Sequence, residues 1–164
     1  MNLIGEGKIK ILWGFIVLIG AITTHLISGN TTESYPYLAV WGILVVAGLI
    51  ITTRIPHGHR QREAWVGFVW IVLAAIGIAL TYWVAEAVIE ASFVTIPIVW
   101  MLLVGIGAIL TGLISTEHYF MIPGVIVLIM AAITYLVLEL HPYLFAVFGL
   151  AFGIPMIIVG LIER

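Results

Sequence analysis

Six apolar runs, each long enough to cross a bilayer as a helix, leave this chain few folds to choose from. They are Ile9–Ile27, Tyr37–Thr53, Ala64–Ala85, Phe93–Ile114, Tyr119–Leu138 and Pro142–Ile162. A hydrocarbon core about 30 Å thick takes roughly 17–25 helical residues to span. A backbone that crosses it must satisfy its own hydrogen bonds, which a helix does within one segment. The stretches between the runs are polar or helix-breaking: Ser28-Gly29-Asn30, Ile55-Pro56-His57-Gly58, Glu90-Ala91-Ser92, Ser115-Thr116-Glu117 and His141-Pro142. No connection is long enough to fold by itself. The expected fold is all-α, a single transmembrane bundle of six helices over residues 1–164.

Composition agrees. Only 9% of the residues are charged and 63% are hydrophobic, against about 25% charged in ordinary soluble domains. The acidic residues are all Glu, and Cys is absent, which removes disulfides and thiolate chemistry from consideration. A net charge of −2 is too small to suggest nucleic acid or a strongly charged partner. Lys8 and Lys10 ahead of the first run resemble the start of a secretory signal. A retained helix is expected instead, because no small-x-small cleavage site follows the run and the run has a twin in mid-chain.

That twin is Ile96–Ser115, which repeats Ile9–Ser28 at an offset of 87 residues. Trp13, Val17, Gly20, Ala21, Thr24 and Ser28 meet Trp100, Val104, Gly107, Ala108, Thr111 and Ser115. Three crossings separate the copies, and an odd number turns the second copy upside down. Two inverted three-helix repeats are therefore expected, over about 9–88 and 93–162, an arrangement used by many transporters. Weaker matches pair Ala47-Gly48-Leu49 with Ala131-Ala132-Ile133, and Ala75-Ile76-Gly77-Ile78 with Ala151-Phe152-Gly153-Ile154. Lys8, Lys10, Arg54, Arg60, Arg62 and Arg164 all fall on one side of the six-span topology, and Glu33, Glu86, Glu90 and Glu139 on the other. The positive-inside rule then puts both termini in the cytoplasm. The expected location is the cytoplasmic membrane, N-in and C-in.

Within the repeated helix, Gly20, Thr24 and Ser28 share one face, as do Gly107, Thr111 and Ser115, because residues four apart are neighbours on a helix. Small side chains let membrane helices approach closely, so these six residues are candidates for a helix crossing or a solute site. Packing of each stripe on some other helix is the plainer alternative. Gly149 and Gly153 form a GxxxG pair, and Pro155 removes a backbone donor and should kink the last helix, which makes it a further candidate. Trp13 and Trp65 near the inner ends, and Tyr35, Tyr37, Tyr82, Trp83, Trp100 and Tyr143 towards the outer face, read as interfacial anchors.

Chemistry is scarce. No charged residue is expected at the bilayer midplane, which argues against a buried-carboxylate proton relay. The deep polar groups are mainly Thr23, Thr24, Thr81, Thr111, Thr134 and Tyr135. They could meet a neutral solute, or bond to their own backbone as such hydroxyls commonly do. His57, His59 and His118 could offer three nitrogens to a metal such as zinc, although solvated loop histidines are the simpler reading. His25 becomes Gly112 in the second copy, so the paired histidines of a haem-binding bundle are missing. No cofactor is implied, and no Walker, HExxH or nucleophile-elbow motif is present.

Two functions fit these features. One is a transporter, channel or solute-binding membrane subunit for a neutral or weakly polar solute held between the halves. The other is a non-catalytic accessory or assembly subunit of a larger membrane complex, since the helices are apolar nearly all round. In either case the partners are the lipid bilayer and further copies of the chain or other membrane subunits, and not nucleic acid.

Overall fold

The computed structural model describes residues 3–28, 35–55, 60–87 and 92–163. Its regular elements are all helical among these residues. They are α1 (Leu3–Ser28), α2 (Tyr35–Arg54), α3 (Arg60–Ala87), α4 (Ser92–Ser115), α5 (Met121–Leu136), α6 (Leu144–Phe148) and α7 (Ile154–Ile162). A 3₁₀ turn, His118–Phe120, leads into α5, and a second, Leu138–Tyr143, leads into α6. A π-helical turn, Gly149–Gly153, joins α6 to α7. Among the described residues, Gly7–Ile27, Trp65–Trp83, Thr95–Ser115, His118–Leu136 and Glu139–Ile162 are long and apolar enough to cross a membrane, and Ala39–Arg54 is a shorter apolar helix. The chain is a helical membrane protein.

The helices run beyond the apolar runs where charged flanks permit. α1 starts at Leu3, not Ile9, so Lys8 and Lys10 lie inside it. α3 starts at Arg60, not Ala64. Hydropathy marks the stretch that sits in hydrocarbon, whereas backbone hydrogen bonding continues into the flanks. At the other end of the scale, α4 stops at Ser115 because Thr116 takes a left-handed φ of 62°. A residue in that conformation cannot continue a helix and gives a tight exit.

The chain divides into two compact units. The first comprises Met1–Gly58 with Phe145–Arg164, and the second His59–Leu144. In the first unit α1 is the central helix, packed by α2 and by the π turn and α7. Ile16, Val17, Ala21, Phe152, Met156 and Val159 form its core. In the second unit α4 is central, packed by α3 and α5, around Met101, Ala108, Val127 and Ala131. Lipid gives helices little hydrophobic reason to associate, so close backbone approach has to supply the attraction. Glycine provides it. A methyl built on Gly153 would lie 2.8 Å from the Gly14 carbonyl oxygen, and one on Gly124 would lie 2.7 Å from that of Gly105.

The π turn explains how Pro155 is accommodated. A proline inside an α-helix lacks its N–H and presses its ring on the carbonyl four residues earlier. Widening the preceding turn to π spacing moves that carbonyl aside. Pro155 thereby becomes an opening residue of α7, and the last span continues through it.

Candidate functional site

Two of the buried polar residues, Thr24 and Thr111, belong to tryptophan–threonine clamps between neighbouring helices. On α1, Thr24 is fully buried and its hydroxyl donates to the Gly20 carbonyl at 2.7 Å. The same oxygen accepts the Trp41 Nε1–H from α2 at 3.0 Å. The indole lies against the bare backbone of Gly20, where a methyl group would sit 2.9 Å from Trp41 Cη2. The reverse contact closes the other end of the pair. Trp13 on α1 donates to Thr52 Oγ1 on α2 at 3.2 Å, and its ring covers Gly48, with Cη2 3.2 Å from a methyl placed there. Phe148 adds a tilted ring contact to Trp41, with centroids 6.3 Å apart.

The second unit repeats this geometry with different helices. Trp70 on α3 donates to Thr111 Oγ1 on α4 at 3.0 Å and covers Gly107. Trp100 on α4 donates to Thr81 Oγ1 on α3 at 3.0 Å and covers Gly77. Each indole N–H is a donor with no accepting capacity, and hydrocarbon offers it no water. A threonine one turn from the glycine solves that problem while the glycine admits the ring.

These contacts locate the residues singled out from the sequence. Gly20 and Thr24 face α2, and Gly107 and Thr111 face α3, so each stripe packs on its sequence neighbour. Ser115 donates to the Thr111 carbonyl at 2.7 Å. Ser28 ends α1, and its side chain lies outside the described residues. Pro155 follows the π turn, as described above. Thr134 bonds back to its own helix at the Met130 carbonyl. His118 is exposed on its 3₁₀ turn, while His57 and His59 lie outside the described residues. Among the described residues no group of three or more His, Cys, Asp or Glu is placed to hold a metal ion.

Several functional side chains escaped the sequence reading. Trp13 and Trp100, expected as interfacial anchors, are also clamp donors. Trp41, Trp70 and Thr52 drew no attention. The signal was there in the shared spacing, with Gly seven and Thr eleven residues after each Trp.

Lys10 makes a second kind of buried polar contact. It is 2% exposed and forms an ion pair and hydrogen bond with Glu163, the residue that caps the end of α7. The pair ties the first helix of the chain to the last within the first unit.

No family model, curated protein or solved structure matches this chain.

Proposed function

We propose that the chain is a non-catalytic membrane subunit that works by assembly, built as an inverted repeat with both termini in the cytoplasm. The observation that carries the reading is that deep hydroxyls are committed. Thr24, Thr52, Thr81 and Thr111 each accept an indole N–H, and Thr134 bonds its own backbone. A neutral solute would have to share those oxygens with the helix contacts they already serve. Meanwhile α3 presents apolar side chains to its surroundings: only 6% of its Trp65–Trp83 span is buried, and Phe68, Ile71, Ile76 and Ile78 are all exposed. Such a surface suits lipid, further copies or other membrane subunits.

The correspondence of α1 with α4 is supported by matched roles as well as by the 87-residue offset. α1 corresponds to α4 as the central helix, and α2 to α3 as its clamp partner. The chain-order match of α2 with α5 and of α3 with α6 differs from this pairing. The remaining helix, α7 in one unit and α5 in the other, shows a compensated exchange. A methyl on Gly153 would meet Leu18, and one on Gly105, the counterpart of Leu18, would meet Leu128. Large and small residues have changed sides of the contact.

The inverted repeat also supports a second reading, a small transporter. Intact-complex mass measured from native membranes separates the two. A stoichiometric second component or a defined oligomer is expected. A lone monomer that carries solute in proteoliposomes would overturn the assembly reading.

The topology has its own test. Reporter fusions at residues 1 and 164 are both expected to read cytoplasmic, because the Lys and Arg residues lie on that side. An external signal from either end would remove the inverted repeat.

A further inference from the structure

The two clamps of each unit are the same contact made twice in opposite directions. In the first unit Trp13 meets Gly48 and Thr52, while Trp41 meets Gly20 and Thr24. In the second, Trp100 meets Gly77 and Thr81, while Trp70 meets Gly107 and Thr111. The indole atom nearest to a methyl built on Gly20, Gly48, Gly77 or Gly107 is in every case Cη2. All four helices therefore carry one motif, Trp-x₆-Gly-x₃-Thr, at residues 13/20/24, 41/48/52, 70/77/81 and 100/107/111.

We propose that this motif is a self-complementary pairing code for antiparallel membrane helices, so that α2 and α3 are interchangeable as partners of α1. The partner it fits is a helix of opposite direction with the same three residues in the same register, here supplied within the chain.

The physical basis is symmetry. When two antiparallel helices share a motif, a contact from the start of one to the end of the other implies its mirror. One pairing geometry then satisfies both indoles and both glycines. Gly and Thr lie one turn apart on the same face, a rise of about 6 Å, and the indole bridges that step with its ring over the first and its N–H on the second. The rest of each helix is free to vary, and it does. Between 40–53 and 69–82 the shared residues are Val40/Val69, Trp41/Trp70, Leu44/Leu73, Gly48/Gly77 and Thr52/Thr81. Leu44 and Leu73 are themselves part of the contact, each against the glycine that the neighbouring Trp covers. The other positions differ.

The test is a graft in the full-length chain. Residues 40–53 are replaced by the sequence of 69–82, which keeps the code in register, or by that of 70–83, which moves it by one position. Neither insert carries a charge, so the topology signals are unaltered. Thermal unfolding in detergent is measured for both. The in-register graft is expected to melt within about 4 °C of the parent, and the shifted one at least about 10 °C lower. Thr24→Val, which removes one acceptor, is expected to lower parent and in-register graft equally and to leave the shifted graft unmoved. If the two grafts melt together, whether high or low, or if Thr24→Val spares the in-register graft, the code is overturned.

Discussion

Glu163→Ala is expected to cost about 3–5 kcal/mol of stability, the range for breaking a buried ion pair from one side. The Lys10 ammonium is almost fully enclosed by the first unit, while Glu163 is 12% exposed. Losing the carboxylate removes the charge that Glu163 sets against the buried ammonium. Lys10→Met is expected to cost less, because the carboxylate left behind sits nearer the surface. The double variant Lys10→Met/Glu163→Leu is expected to approach the parent, since apolar replacement of both partners is often neutral or stabilising. Reversible unfolding in mixed micelles measures all three. The pair is not a structural joint if Glu163→Ala unfolds with the parent, or if the double variant is as weak as the worse single one.

The second large effect is expected from glycines that lie against backbone. Gly153→Leu places its Cβ 2.8 Å from the Gly14 carbonyl oxygen. No rotamer change relieves that contact, so α1 and the π turn must separate. Overpacking costs about 1–3 kcal/mol and occasionally more, and this position belongs at the upper end. Gly20→Leu and Gly107→Leu meet indole and leucine side chains instead, so the neighbours can shift in part, and an intermediate loss is expected. Gly42 and Gly67 have nothing within 4 Å of a built Cβ, and their leucine variants are expected within about 0.5 kcal/mol of the parent. Equal losses across the series in the same unfolding assay would mean that leucine is disfavoured generally and that close approach is not the cause.

The sequence by itself determined the class of the protein and the placement of its apolar helices. Helices of this length and apolarity follow from the bilayer thickness and from the need to satisfy the backbone locally, and both constraints act within one segment. Helical periodicity likewise put Gly20 with Thr24 on one face, and Gly107 with Thr111, before any neighbour was known. Hydropathy was less informative at the ends, where α1 and α3 extend into charged residues that a hydropathy window discounts.

Only the tertiary structure decided what covers those faces. A stripe of small residues says that something comes close, not which helix does, and here the cover is Trp41 and Trp70. The interfacial-belt rule says nothing of the bonds that Trp13 and Trp100 make, because it weighs distance from a span's end, whereas those bonds depend on a threonine in another helix. The burial of Lys10 also depends on a distant residue, since its ammonium pairs with Glu163, 153 residues away in the chain. Local sequence sets which groups need a partner. The partner itself is set by packing: the shared Trp, Gly and Thr spacing marks the helices that can pair, and only the fold shows which of them do.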